Sequence, residues 1–420
     1  MMNTIWKMSF NGLKGPVVPG LALTVVLGSL LLGYCKEDTS FSLQGSTMGT
    51  SYSIKVRNAP EGVDPAELKE SIDSLLQETD YRFSSWQQDE LYQVNEHPAG
   101  APRSISSDFC LVLYKSRLIW KTSQGRFDPT IGALIDLWGF GPSEKTSDPG
   151  PAEIRHALQN SGFEKLELLP LSAPSFSGRY AADIESILKV QSGESGVDGP
   201  QDRGGNENSK DIGHNDDIAL RADGQDFQPG CKISKSADLN LNLSAIAKGH
   251  GVDRVAQLLE SEGIQDFMVE IGGEVKTGPA GSFRIGIERP NYDGTRSLYT
   301  ILESRNGCVA TSGNYRNFFE RDGQIFSHIL SPQSGKPALS RIQSATIVGP
   351  DCALADGLAT AAMLSTPEQT AAMLKEIEEK TGQSYEYLLL ESGKLVQGDT
   401  GNFTIEEYTS EGLSRIRVQK

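Results

Sequence analysis

The chain has 420 residues, enough for one large domain or two to three smaller ones. Its formal net charge of −16 and pI of about 4.9 argue against a nucleic-acid binder, which needs a basic stripe to meet phosphate. They leave room for a phosphorylated small molecule held through a metal ion.

The N-terminus reads as an address. Lys7 and Lys14 precede an apolar run over residues 17–34, which closes in "LLGYC" at Cys35. A basic start followed by such a run marks an export signal or a membrane anchor. Pro19 interrupts its start, and its length is near the lower limit for a spanning helix. The alternatives are an uncleaved anchor and a lipoprotein signal. "LLGYC" resembles a bacterial lipobox, with Tyr34 in place of the usual small residue. Either way, the rest of the chain is expected at a membrane, lipid-anchored or in the inner membrane, outside the cytoplasm.

Downstream, Asp64 is expected to cap a helix that opens at Pro65 and carries Leu68, Ile72, Leu75 and Leu76 on one face. A second helix is predicted over residues 108–123, stopped at Gly125, and a third over 151–160. Over about 191–230 the composition turns to Gly, Ser, Asp and Asn with few apolar residues. Such a stretch buries too little surface to offset its ordering entropy, so a disordered insertion is expected. A helix follows over residues 245–263. Another begins at a capping box of Thr366 and Gln369, with Pro367 in its first turn and Gly382 as its stop. Between the helices lie short alternating stretches, among them "TSYSIKV", "DFMVEIGG", "FRIGIE", "SLYTILES", "SATIVG" and "YEYLLLES". Their order is mixed, not a repeated βαβ. The fold class expected is therefore α+β, a largely antiparallel sheet flanked by helices.

Several familiar sites are missing. The five cysteines form no CxxC pair and the five histidines no HExxH. There is neither a GxxxxGK[ST] phosphate loop nor a GxGxxG dinucleotide fingerprint. Chemistry instead concentrates in "CALADGLATAAML", residues 352–364. Nearly every residue there is small or apolar, yet Asp356 sits among them with Thr360 one helical turn on. A buried carboxylate needs a partner. Asp356 could cap a neighbouring backbone amide, or the pair could hold a hard cation such as Mg²⁺ or Ca²⁺. Taken alone, the pair favours the structural reading.

The surrounding segments change that weighting. In order they are "TMGT" (47–50), "FSSWQQDELYQVN" (83–95), "RFDPTIGALIDLWGFGP" (126–142) and "LNLSAIAKGHGVDRVAQLLESEGI" (241–264), which runs on into "VEIGGEVKTGPAGSFRIGIERP". "VATSGNYRNFF" (309–319), "SHILSPQSGKPA" (327–338) and "ADGLATAAML" complete the series. Together they resemble the ApbE family, the FAD:protein FMN transferases, over residues 41–366. The resemblance implies an α+β, tunnelling-fold-like architecture with FAD between two lobes. It implies one transferase domain over 41–420. It also implies Mg²⁺-dependent cleavage of FAD: FMN passes through its phosphate to a Thr or Ser hydroxyl of an exported acceptor protein bearing a flavinylation motif, and AMP leaves.

By the same resemblance, the backbone carbonyl of Ala245, the carboxylate of Asp356 and the hydroxyl of Thr360 hold the metal. Lys248 contacts the flavin nucleotide. Met48, Trp86, Arg126, Phe127 and Asp128 match positions that contact FAD, and Asn242 stands where an Asp often does so. His328 matches the histidine of HI-x-x-P, with Ile329 or Leu330 beside the flavin. The chemistry is coherent. A metal ion and Lys248 can neutralise a pyrophosphate in a dry site. Trp86 can stack on a planar ring while Met48 fills the apolar space beside it. His328 is the leading general-base candidate because its ordinary pKa is near neutral, with a carboxylate near the metal, Asp356, as the other. Gly272 and Gly273 fit either a hairpin turn or a close approach to ligand. "TSG" at 311–313 could orient phosphate or end a strand, and "LWGFGP" reads as a packed, rigid loop. His250, where the family usually has an aromatic, is expected to be solvated. Ser331 and Ser334 replace an Asp and a Thr of the family pattern. Two other readings use the same residues: an FAD pyrophosphatase with water as nucleophile, and a lipoprotein that binds FAD without cleaving it.

Overall fold

The computed structural model describes residues 39–84, 89–141, 148–170, 229–291, 295–314, 318–321, 324–338, 340–395 and 403–418. Trp86, the N-terminal segment through residue 38, and residues 191–228 of the expected insertion lie outside the described residues.

The chain opens with strands β1 (Phe41–Thr47) and β2 (Thr50–Val56), followed by helices α1 (Pro65–Phe83) and α2 (Glu90–Glu96). Next come β3 (Arg103–Ser106), α3 (Ser107–Thr122), α4 (Gly132–Leu137), α5 (Pro151–Asn160), β4 (Leu166–Pro170) and β5 (Pro229–Lys235). Helix α6 (Ser244–Ser261) leads into β6 (Phe267–Ile271), β7 (Glu274–Thr277), β8 (Phe283–Glu288), β9 (Leu298–Ser304) and β10 (Cys308–Gly313). After the short strands β11 (Phe318–Arg321), β12 (Gln324–Ser327), β13 (Leu330–Ser331) and β14 (Lys336–Pro337) comes β15 (Ile342–Gly349). Then follow α7 (Cys352–Ala362), α8 (Pro367–Thr381), β16 (Glu386–Leu395), β17 (Phe403–Thr409) and α9 (Leu413–Ile416).

The local signals act where they were read. Asp64 accepts a hydrogen bond from the Ala66 amide, Thr366 and Gln369 form their capping box, and Gly382 takes the left-handed conformation that ends α8. The central sheet runs β1-β2-β6-β7-β10-β15-β16-β17, and every neighbouring pair is antiparallel. Side chains of a strand alternate between faces, and this sheet buries both. Leu389 joins the larger core beneath α1, α3, α6 and α7, whereas Leu388 and Leu390 turn to a second core with Ile285, Ile287 and Leu302 of the β8–β9 hairpin. No helix among the described residues is long and apolar enough to cross a membrane.

Two disulfides staple these layers. Cys110–Cys231 joins α3 to β5, and Cys308–Cys352 joins β10 to the first residue of α7. They span 121 and 44 residues. Closing such loops in the unfolded chain contributes on the order of 4 kcal/mol each in the chain-entropy model.

Candidate active site

Helix α7 carries Asp356 and Thr360, and its position is set from its N-terminus. Asp351 caps it, accepting from the Leu354 amide at 2.8 Å. A second carboxylate, Asp253 of α6, accepts from the amides of Cys352 and Ala353 at 2.9 and 3.0 Å. Two carboxylates on a helix N-terminus satisfy its unpaired amides and oppose its dipole. Their charges are met in turn by Lys115 of α3 on Asp351 and Lys276 of β7 on Asp253. The result fixes the register of α7 against α3, α6 and β7.

Helix α6 crosses α7 at Gly249. A Cβ there would lie 2.2 Å from the Cys352 carbonyl oxygen and 2.9 Å from the Ala353 Cα. Because no side chain intervenes, the Gly249 amide donates to Asp356 Oδ2 at 3.0 Å. In a regular helix that amide pairs with the carbonyl four residues back, which is Ala245. A carbonyl oxygen has two lone pairs, so the Ala245 oxygen keeps acceptor capacity beyond that bond, and Ala245 lines a cavity.

That cavity has a volume of 1190 Å³. Pockets for drug-sized ligands measure roughly 300–1,000 Å³, so this one suits a dinucleotide. Ala245, Lys248, Asp356 and Thr360 line one part of it. Lys248 Nζ stands 3.6 Å from Asp356 Oδ2 and 3.4 Å from Glu274 Oε1. Burial opposes the Lys248 charge, but Asp356 and Glu274 outweigh it and hold the ammonium above the ordinary lysine range. Burial pushes Asp356 up against the pull of Lys248 and the Gly249 amide. It also lifts Glu274, to about 8, with the nearby Asp356 adding to the rise against Lys248. Thr360 Oγ1 lies 3.2 Å from Ser312 Oγ on β10, so "TSG" is strand, and it lines the cavity.

Met48 lines the cavity from the turn between β1 and β2. Met48 and Gly49 both have positive φ, the conformation of a two-residue hairpin turn that matches sheet twist. Asp80 accepts the Met48 amide. The Met48 methyl packs over Gly251, where a Cβ would come within 2.6 Å. Gly272 and Gly273 also have positive φ, turning β6 into β7, and this hairpin turn lies on the cavity wall.

Arg126, Phe127, Asp128 and Asn242 also line the cavity. Their polar groups also organise the loops they sit on. Asp128 accepts from the Thr130 amide and hydroxyl and from the Phe163 amide. Arg126 donates to the Ser123 carbonyl, and Asn242 Oδ1 accepts from the Ser244 amide and hydroxyl ahead of α6. His328, Ile329 and Leu330 line the same cavity. The His328 ring meets Phe140 edge-on at 6.4 Å, and Trp138 Nε1 donates to the Gly335 carbonyl at 2.7 Å. The described part of "LWGFGP", residues 137–141, thus packs against the His328 segment. Ser331 accepts from the Ser334 amide within that turn.

One expectation fails. His250 is not solvated: it is 1% exposed, packed edge-on against Phe83, with Asp108 3.7 Å from Nε2. It takes the place of an aromatic because α6 turns that position into the core beneath α1. Burial, with Lys115 and Arg254 nearby, pushes its pKa down to about 4 despite Asp108. The unfolded histidine takes its proton near pH 6.5 and the folded one resists it. The neutral form therefore contributes stability above pH 6.5 that is lost as pH falls through about 4, roughly 3 kcal/mol in all. Urea unfolding at pH 7 and pH 5 should show the wild type losing about 2 kcal/mol more than His250→Phe. Equal losses would rule out a buried neutral His250.

Sequence reasoning passed over Glu274, Asp253 and Asp80. Glu274 follows the two glycines within a quoted motif, and an acid at a strand position expected to be buried was the available signal. Asp253 and Asp80 carry no such signal, since their partners lie on other elements.

A sequence model described as "ApbE family" matches residues 48–383. A protein of Vibrio cholerae named "FAD:protein FMN transferase" is 33% identical over 83% of this chain and 89% of its own length. A protein of the same name from Haemophilus influenzae is 29% identical, over 80% of this chain and 84% of its own. Among solved structures, "Flavin Transferase ApbE from Vibrio cholerae" superposes with a TM-score of 0.66 at 28% identity, covering 90% of this chain and 99% of that one. An ApbE protein from Thermotoga maritima, 21% identical over 90% of this chain and 100% of its own, shares the fold with a TM-score of 0.64.

Proposed function

Since the chain belongs to the ApbE family, we propose that it is an FAD:protein FMN transferase that moves FMN from FAD to a Thr or Ser hydroxyl of an acceptor protein. The observation that carries this reading is the meeting of Ala245, Lys248, Asp356, Thr360 and His328 on one dinucleotide-sized cavity. Three different stretches of chain supply them.

The donor set fits Mg²⁺. A buried carboxylate, a hydroxyl one turn along the same helix and the backbone carbonyl of a cavity-lining residue are all hard oxygens. Asp356, Thr360 and the Ala245 carbonyl would hold the ion, which would neutralise pyrophosphate oxygens as charge develops. The rest is the work of the chain's own groups. Lys248 binds the pyrophosphate as a point charge. Met48 and the 126–128 loop fix the flavin end, with Trp86 as a further stacking residue. Ile329 and Leu330 exclude water beside it. His328 takes the proton of the acceptor hydroxyl, whose oxygen bonds to the FMN phosphorus. The P–O bond to the AMP phosphate breaks, and AMP leaves with that oxygen.

An exported, membrane-tethered setting is part of the same reading. It is supported by the basic-then-apolar N-terminus and by two disulfides, which persist in oxidising compartments. The acceptor would then be an exported protein with a flavinylation motif.

The test uses the protein from Lys36 onward with FAD and Mg²⁺, with and without an acceptor domain bearing the motif. The expected result is an FMN-sized mass gain on the acceptor, with equimolar AMP, abolished by EDTA. AMP without mass gain would replace this reading with a pyrophosphatase. Bound FAD with neither product would replace it with a flavin-binding protein.

A further inference from the structure

Two buried carboxylates share a single cation beside the proposed metal position. Asp356 is 2% exposed and Glu274 3%, and Lys248 Nζ lies between them at 3.6 and 3.4 Å. One ammonium faces two carboxyl groups, and Glu274 Oε2 is buried without a hydrogen-bond partner among the described residues. With both carboxylates ionised, the cluster would take a further cation to balance it. Lys248 itself is well suited to move. Its ammonium sits on a flexible four-carbon stem, and its side chain is 28% exposed at the cavity. Its Cδ runs past Gly272, where an added Cβ would come within 3.2 Å, so the glycine turn leaves its stem a path.

We propose that the Lys248 ammonium is a stand-in for the divalent cation: it neutralises Asp356 until the metal arrives, then rests on Glu274 alone and faces the pyrophosphate. Glu274 is the positioning residue of this pair. It acts through Lys248 and touches neither metal nor nucleotide. The inference rests on Asp356 being a cation ligand, as proposed above. It adds a competition between Lys248 and the divalent cation for Asp356, and a role for a residue of β7.

The competition is measurable without turnover. Mn²⁺ binding to the FAD-free protein is counted by electron paramagnetic resonance, with FAD binding in EDTA followed separately by fluorescence. Lys248→Met should bind Mn²⁺ about tenfold more tightly than wild type, because no internal cation remains on Asp356. It should bind FAD more weakly. Glu274→Gln should bind Mn²⁺ several-fold more weakly, because Lys248 is then confined to Asp356. In the Lys248→Met background the Glu274→Gln change should have less than about a twofold effect. There a buried Glu274 without a cation is neutral, like the glutamine. Lys248→Gln serves as a second variant if the methionine protein does not fold. Unchanged or weaker Mn²⁺ binding on removal of Lys248 overturns the stand-in. An undiminished Glu274→Gln effect in the double variant overturns the positioning role. Both outcomes leave the metal reading standing. Absence of Mn²⁺ binding in wild type, with FMN transfer continuing in EDTA, overturns the metal reading and this inference together.

Discussion

Replacing Asp356 with alanine should cut FMN transfer and AMP release by at least about a hundredfold. Charge stabilisation of a departing phosphate by a metal ion is worth several kcal/mol, and each 1.36 kcal/mol is a factor of ten in rate. The alanine variant also removes the acceptor of the Gly249 amide, bonded at 3.0 Å, and leaves Lys248 to Glu274 alone. Loss of activity could then reflect a shifted α6. Asp356→Asn separates the two effects. Its amide oxygen still accepts from Gly249, but it carries no charge for a cation. We expect the asparagine protein to melt within a few degrees of wild type and to be as inactive as the alanine protein. Intact mass of the acceptor and a thermal melt on the same preparation check this. Metal-dependent transfer by a folded asparagine variant would remove Asp356 from the site.

Gly249→Ala should destabilise the protein by about 3 kcal/mol or more, at the upper end of the cost of overpacking a core. The atoms in the way are backbone: the Cys352 carbonyl oxygen at 2.2 Å, its carbon at 2.6 Å and the Ala353 Cα at 2.9 Å from the added Cβ. No side chain can swing aside to relieve the clash. Cys352 is held by its disulfide to Cys308, and the amides of Cys352 and Ala353 are held by Asp253. Helix α6 must therefore separate from α7. That separation breaks the bond from Gly249 to Asp356 and moves Ala245 and Lys248 away from it. A urea titration should show a lower midpoint, with transfer activity falling more steeply than folded protein. An unchanged midpoint would mean that the helices do not cross this closely.

The two variants sample different kinds of information. The chemistry around Asp356 was legible because "ADGLAT" puts an acid into a helix otherwise made of small and apolar residues, and because Thr360 falls one turn away. Together with "SAIAKG" and "SHIL", these short motifs were enough to name Ala245, Lys248 and His328, all of which line the cavity. The close crossing at Gly249 was not legible, since a glycine inside a helix has several explanations. Neither was His250. Its burial follows from the ring of Phe83 on α1, more than 150 residues earlier in the chain.

What the amino-acid sequence determined by itself is whatever is decided within a turn or two of backbone. Asp64, the Thr366–Gln369 box and Gly382 set helix ends because cap and amide are at most a few residues apart. The β-rich composition of "YEYLLLES" set a strand, and the mixture of such elements set the α+β class, whereas the burial of Leu388, Leu389 and Leu390 on both of its faces came with the packing. Tertiary structure alone decided the rest, because it required groups far apart in sequence to find one another. Cys110 meets Cys231 and Cys308 meets Cys352 across 121 and 44 residues. Asp253 caps a helix that begins 99 residues later. Lys248 stands between Asp356 and Glu274 only because α6, α7 and β7 pack together. The partner that the buried carboxylate demanded was certain from its charge and burial, and which atom supplied it was a matter of packing.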